Sequence, residues 1–147
     1  MGLAGFGEML PHPENRMYLE KTGRDKWGMP LVVFNAELRE NEKKMRIDMM
    51  NDAAEMLEAA GLKQVNTFDY GYEFGMGIHE MGTARMGRDP KSSVLNGNNQ
   101  VWDAPNVFVT DGACMTSTSC VNPSLTYMAL TARAADFAVK EIRKRNL

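Results

Sequence analysis

The spacing of apolar residues predicts a first long helix from about Leu38 to Ala60. Within this range, apolar side chains recur every three or four residues, which places them on one face of a helix. The recurring residues are Met45, Met49, Ala53, Met56 and Ala60. Gly61 follows directly, and glycine often ends a helix because it adopts the left-handed conformation without strain. We therefore expect a helix that buries one apolar stripe and stops at Gly61.

A second repeat of this kind predicts a helix from Pro123 to about Lys144. Its apolar stripe would consist of Leu125, Met128, Ala132, Ala135, Val139 and Ile142. Proline is favoured at the first helical position and asparagine is a good N-cap, so Asn122 and Pro123 predict the start of this helix. The chain thus contains two substantial predicted helices.

Strand patterns occupy four other stretches, at Arg16–Glu20, Pro30–Ala36, Gln64–Gly75 and Asn106–Gly112. The first two are joined by a short polar connection, which favours an antiparallel hairpin. The last is short and apolar, as expected of a buried strand. The sequence NGNN at Asn96–Asn99 is a turn that could close a further hairpin. Together these patterns predict an α+β fold, an antiparallel sheet with flanking helices.

Length and composition narrow the class of protein. The chain has 147 residues, the size of one domain, and a formal net charge of −2 that argues against a nucleic-acid partner. No apolar run approaches the ~20 residues that span a bilayer, and no secretory signal is recognisable. We expect a soluble protein of the cytoplasm or periplasm. Cys114 and Cys120 lack the spacing of a zinc site, so no metal site is predicted.

One histidine stands in an unusual setting, the glycine-rich stretch GIHEMGTARMG from Gly77 to Gly87. His79 has two interpretations. It is a turn residue with an incidental imidazole, or it is a proton acceptor, the role for which histidine is best suited near neutral pH. His12, in the sequence PHP, is interpreted as an ordinary loop residue.

Two other sets of residues have both a structural and a functional interpretation. Asn122 caps a helix, but a helix N-terminus, with Thr126 in its first turn, also suits an anion or developing negative charge. Asp111 and Gly112 form a turn, or a glycine approach to a cofactor. Ser117 and Ser119 are candidate nucleophiles for a hydrolase, although the chain has no G-x-S-x-G motif. A binding module without catalysis is equally compatible with these residues.

Four motifs in a fixed order resemble one enzyme family. They are HEMGTARMG from His79, SVLN from Ser93, NVFVTDGA from Asn106 and NPSLTYMALTARAAD from Asn122. Their order over nearly seventy residues resembles the C-terminal, substrate-binding part of the glucose-methanol-choline oxidoreductases. The hairpin and long helix before them are similar to the same part of the family.

The resemblance implies an FAD-dependent enzyme that oxidises the CH–OH group of an alcohol, sugar or polyol. His79 matches the family's base, which takes the hydroxyl proton while hydride passes to FAD, and Asn122 matches the residue that contacts the substrate oxygen. Asp111 and Gly112 match a turn against the FAD. Pro123 and Thr126 match the start of the helix that points at the flavin. The final strand and helix would then join the FAD-binding domain of the full-length enzyme.

The chain departs from the family by having no G-x-G-x-x-G turn for the FAD pyrophosphate. We therefore expect residues 1–147 to form a single C-terminal domain of a longer enzyme whose N-terminal FAD-binding half is its missing partner. Alone, this domain would retain little FAD and be inactive. Its strand at Asn106–Gly112 would be exposed or paired by self-association. The alternative is a stand-alone ligand-binding or interaction domain without catalysis.

Overall fold

The computed structural model describes residues 1–72 and 74–147, in two units, Met1–Met76 and Gly77–Leu147. Each unit contains one two-stranded antiparallel sheet and one long helix. This mixed composition confirms the predicted α+β class. The prediction that residues 1–147 act as a single domain stays a prediction.

The first unit begins with the predicted hairpin. Strands β1 (Arg16–Arg24) and β2 (Pro30–Asn35) pair antiparallel. Their turn is closed by Asp25, whose carboxylate accepts hydrogen bonds from the backbone N–H groups of Trp27 at 2.8 Å and Met29 at 2.9 Å. β1 extends further than its apolar pattern because backbone pairing does not require apolar side chains. The hairpin prediction is confirmed.

Helix α1 (Glu40–Ala59) is terminated as predicted by Gly61, which follows the C-cap Ala60 and has a φ of 87°. The Gly61 N–H donates to the Glu58 carbonyl, and the Leu62 N–H donates to the Leu57 carbonyl. These are the paired hydrogen bonds of a Schellman motif. The predicted stripe is half-buried over its first turns. A side chain on Gly7 would lie 2.7 Å from Met45, so the N-terminal segment packs closely on the helix. Met56, further along, remains 64% exposed.

Glu42 is a buried carboxylate in the first turn of α1, with only 2% of its surface exposed. It accepts the backbone N–H of Leu10 at 3.1 Å and that of Arg39 at 3.0 Å. Burial alone would raise the pKa of Glu42, but these hydrogen bonds favour the charged form and hold the pKa below its usual value. The Glu42 carboxylate therefore links the N-terminal segment, at Leu10, to the start of α1.

We expect Glu42→Gln to lower the free energy of unfolding by about 1–2 kcal/mol at pH 7, the scale of hydrogen bonds to a charged group. Because the folded pKa is depressed, this stability is present above the unfolded pKa of about 4.3 and is lost as pH falls through the folded pKa. Urea unfolding from pH 7 to pH 3 should show the two proteins converging. The matched control is Glu40→Gln, since Glu40 is exposed and forms an ion pair with Lys44 at the surface. A constant difference across this pH range would contradict the role of the charge.

The predicted strand at Gln64–Gly75 is wrong for residues 64–72 and 74–75, and residue 73 lies outside the described part of the chain. The alternating aromatic residues do pack on one another. The ring centroids of Phe68 and Tyr70 are 4.8 Å apart, and those of Tyr70 and Tyr72 are 5.3 Å apart. A strand also requires hydrogen bonds to a neighbour, and among the described residues β1 and β2 form a two-stranded sheet with each other alone.

The second unit contains a short hairpin of strands β3 (Gln100–Val101) and β4 (Ala104–Phe108). The predicted turn at Asn96–Asn99 is confirmed, since Leu95 bridges Val101 antiparallel across it. The predicted strand at Asn106–Gly112 is displaced toward the N-terminus and is mostly exposed rather than buried. It ends at Phe108, and a 3₁₀ turn follows at Gly112–Cys114.

Helix α2 (Ser124–Arg143) forms where predicted, but the predicted buried stripe is wrong. Leu125 is 79% exposed and Met128 is 68% exposed. The face that packs within the unit is a different one, with Ala134 buried and the Phe137 ring centroid 6.3 Å from that of Phe108. The helix is apolar on more than one face, so periodicity alone could not select the packed one.

Asn99 lies at the centre of the second unit, fully buried beside Leu95 and Cys114. Its Nδ2 donates to the Val109 carbonyl at 2.9 Å, and its Oδ1 accepts from the Arg133 guanidinium of α2 at 2.8 Å. The Val109 N–H donates back to the Asn99 carbonyl at 3.0 Å. This network joins the turn, the segment after β4 and the helix.

Within the described residues, neither long helix has an apolar stretch sufficient to cross a bilayer.

Candidate active site

The structure brings together the two residues predicted to be catalytic. His79 Nε2 lies 2.8 Å from Asn122 Oδ1, although the residues are 43 positions apart in the chain. His79 is half-buried, whereas Asn122 is exposed at the last position but one before α2. With the amide oxygen facing the ring, Nε2 carries the proton, and rotation of the amide would present Nδ2 to an unprotonated Nε2. The pair can therefore accommodate either tautomer.

The backbone around His79 is held by local contacts. Glu80 accepts the Gly77 N–H at 2.9 Å, which closes a tight turn around the imidazole. Further along, the Ala84 N–H donates to the Ala113 carbonyl at 2.9 Å, which ties the loop to the 3₁₀ turn. Ile78 has a φ of 56°, a left-handed conformation that is costly for a β-branched residue. Such strain often marks functional loops.

Gly112 permits the His79 loop, residues 77–87, to approach the 3₁₀ turn. It is buried, and a Cβ placed there would lie 2.8 Å from the carbonyl oxygen of Glu80. That distance is too short for a carbon atom, so any other residue would displace one of the two segments. Packing against the His79 loop accounts for this glycine without a cofactor, and its predicted contact with FAD stays a prediction.

The other predicted site residues lie beside these two segments. Asp111 is exposed, and its carboxylate accepts the Ala113 N–H at 3.0 Å, which starts the 3₁₀ turn. Pro123 is buried, and Thr126 is exposed in the first turn of α2. Contact of any of them with FAD stays a prediction.

The predicted N-cap at Asn122 is wrong. Pro123 occupies that position because its carbonyl accepts the first helical hydrogen bond, from the Tyr127 N–H at 3.1 Å. Its side chain cannot cap the helix, and the Asn122 side chain is instead directed to His79. The first turn of α2 also has no acidic residue. Its N–H groups and positive dipole are thus suited to an electron-rich group such as the flavin pyrimidine edge. The uncapped start of α2 therefore fits the pyrimidine edge of the flavin in FAD.

Sequence reasoning missed Tyr127, whose phenol lies behind the His79 loop and contacts Met81. It occupies the face of α2 that the predicted stripe excluded. A weak signal was available, since Tyr127, Leu130, Ala134 and Phe137 also repeat at helical spacing. Sequence reasoning also assigned Asn99 only to a turn and did not predict its buried hydrogen bonds.

Comparison with known proteins identifies the family. Residues 11–131 match the family model described as GMC oxidoreductase. The chain is 40% identical over 136 residues to a 2-methyl-1,2-propanediol dehydrogenase of Mycolicibacterium austroafricanum, covering 90% of this chain and 24% of that enzyme. It is 30% identical to the fructose dehydrogenase large subunit of Gluconobacter japonicus, over 93% of this chain and 25% of that subunit. For the paromamine 6'-oxidase of Streptomyces fradiae the identity is 33%, over 92% and 25% respectively.

The chain thus spans about a quarter of the length of these curated relatives. The relatives are named as dehydrogenases and oxidases, and enzymes of this family are generally FAD-dependent. The family match covers both the His79 loop and the start of α2. This chain belongs to the GMC oxidoreductase family.

Proposed function

We propose that this chain forms the substrate-binding and proton-accepting part of an FAD-dependent oxidoreductase that acts on CH–OH groups. The observation that carries the proposal is the 2.8 Å contact between His79 and Asn122, next to a helix N-terminus without a side-chain cap. The family match supports the same reaction class and argues against a hydrolase that uses Ser117 or Ser119.

In the proposed reaction, His79 Nε2 accepts the hydroxyl proton of the substrate. The Asn122 amide orients the same oxygen, donating through Nδ2 as the C–O bond becomes a carbonyl. When bound, FAD would supply the oxidising equivalent, as acceptor of the hydride from the carbinol carbon. At 2.8 Å the two side chains leave no room for an oxygen between them, so substrate must separate them or bind alongside. His79 then passes its proton to solvent, because the site is open on the Asn122 side.

The start of α2 is proposed to hold the flavin edge. Pro123 and Thr126 would lie against it, and the helix dipole favours the negative charge that reduction brings there. Asp111 and Gly112 would lie nearer the rest of the FAD. The chain has no G-x-G-x-x-G turn for the pyrophosphate, so we propose that residues 1–147 alone do not retain FAD.

The substrate is proposed to be a small diol, a sugar or another polyol. The relatives are named for 2-methyl-1,2-propanediol, fructose and paromamine, all polar molecules with two or more hydroxyl groups. The half-buried imidazole of His79 and the exposed amide of Asn122 suit such a substrate.

The test is the visible spectrum of the complete gene product, purified and kept anaerobic while diols, sugars and simple alcohols are added one at a time. We expect a flavin absorption band that bleaches with at least one of them. A protein without flavin, or one whose flavin no compound reduces although a compound binds by calorimetry, would favour the alternative of a non-catalytic binding domain.

A further inference from the structure

The phenol of Tyr127 fills the space between the His79 loop and the 3₁₀ turn. Its hydroxyl donates to Met81 Sδ at 3.6 Å, and Met81 is two residues from His79. A Cβ on Gly112 would lie 2.9 Å from this hydroxyl, 2.8 Å from the Glu80 carbonyl oxygen and 3.1 Å from Met81 Sδ. These groups converge where there is no room for a methyl group, so the loop and the phenol are tightly packed.

Tyr127 belongs to the same end of α2 as Asn122. Its N–H donates to the Pro123 carbonyl at 3.1 Å, in the first turn of the helix. One helix end therefore contacts the His79 loop twice, through Asn122 at the imidazole and through Tyr127 at Met81. A loop held at two points by one turn of helix has little freedom to move its imidazole.

The loop needs such support because of its strained backbone. Ile78 has a φ of 56° directly before His79, and strained conformations persist only where surrounding contacts enforce them. The contacts of Met81 and Glu80 with Tyr127 and Gly112 lie directly after His79. These contacts fix the backbone on the C-terminal side of His79.

We propose that Tyr127 is a positioning residue: by packing against Met81 and Gly112, its phenol keeps the imidazole of His79 within reach of Asn122 and the substrate oxygen. The inference rests on the proposed role of His79. The phenol remains a hydrogen-bond donor at neutral pH, because burial raises the pKa of Tyr127 and the charges of Asp111 and Glu80 raise it further.

The test is steady-state kinetics of the complete, flavin-loaded protein with Tyr127→Phe, which removes the hydroxyl and keeps the ring. We expect the kcat per bound flavin to fall about fivefold, as for the loss of one modest hydrogen bond, with KM changed less than twofold. Met81→Leu removes the acceptor from the other side and should give the same pattern. The control is Thr131→Val, which removes a hydroxyl on the same helix that donates to the Tyr127 carbonyl at 2.8 Å; its kcat per bound flavin should be unchanged.

A double-mutant cycle sharpens the assignment. Gly112→Ala places a methyl group against the Tyr127 hydroxyl and the Glu80 carbonyl, and Tyr127→Phe removes one of these two collisions. The losses in kcat should therefore be less than multiplicative in the double variant. Multiplicative losses would overturn the proposed contact.

Two further outcomes separate this inference from the proposed function. If Tyr127→Phe lowers only flavin content or melting temperature, with kcat per flavin unchanged, Tyr127 is merely structural and the inference is overturned. If His79→Ala also keeps its full rate of flavin reduction, the proposed function itself fails. If His79→Ala slows flavin reduction but Tyr127→Phe keeps the wild-type kcat per flavin, the inference about Tyr127 fails and the proposed function stands.

Discussion

Replacing Asn99 by alanine should lower the free energy of unfolding by about 3 kcal/mol or more. The substitution removes two hydrogen bonds of a fully buried side chain, one from the Arg133 guanidinium and one to the Val109 carbonyl, and each contributes about 1 kcal/mol. Asn99 also has a φ of 63°, a conformation that asparagine tolerates better than alanine. Urea unfolding of the purified chain at neutral pH measures the loss.

Two further variants separate the causes of that loss. Asn99→Gly removes the same hydrogen bonds but relieves the backbone strain, so it should be more stable than Asn99→Ala by about 1 kcal/mol. Asn98→Ala is the matched control in the same turn, where only the backbone N–H bonds Asn96. A loss below about 1 kcal/mol in Asn99→Ala, or full recovery in Asn99→Gly, would show that the buried network contributes little.

Local patterns predicted most elements of the fold. The β1–β2 hairpin, the end of α1 at Gly61 and the turn at Asn96–Asn99 depend on neighbouring residues, and the structure confirms them. The segment from Gln64 had a strand's composition but required a partner strand, which its own residues cannot supply. Strand pairing depends on distant parts of the chain, so the sequence of this segment could not show that it lacks a partner strand.

The packed face of α2 was unpredictable for a related reason. Both the Leu125 stripe and the Tyr127 face are apolar, and the choice depends on what the rest of the unit offers. One contact of the packed side is the hydrogen bond from the Arg133 guanidinium to the buried side-chain oxygen of Asn99. That contact joins residues that no periodicity connects.

For the candidate site, sequence motifs identified the residues and the structure gave their arrangement. His79 and Asn122 were named separately, and their contact followed only from the fold. The prediction that Asn122 also caps α2 was wrong because Pro123 holds that position. The supporting residue Tyr127 had no motif of its own, since its role depends on a close approach at Gly112.

Replacing His79 by alanine should slow flavin reduction about 100-fold or more in the complete protein, the usual scale for loss of a general base. The imidazole is the group that accepts the hydroxyl proton in the proposed reaction, and the chain contains only one other histidine. His12→Ala is therefore the matched control and should leave the rate unchanged. Asn122→Ala should cost less, and the comparison is clean because Asn122 does not cap α2.

The most direct test of the account is anaerobic stopped-flow reduction of the flavin by saturating substrate, with wild type, His79→Ala and His12→Ala at equal flavin content. We expect the His79 variant alone to be slowed about 100-fold, while its flavin spectrum before mixing matches that of wild type. An unchanged reduction rate in His79→Ala would contradict the assignment of His79 as the proton acceptor, and with it the function proposed for this site.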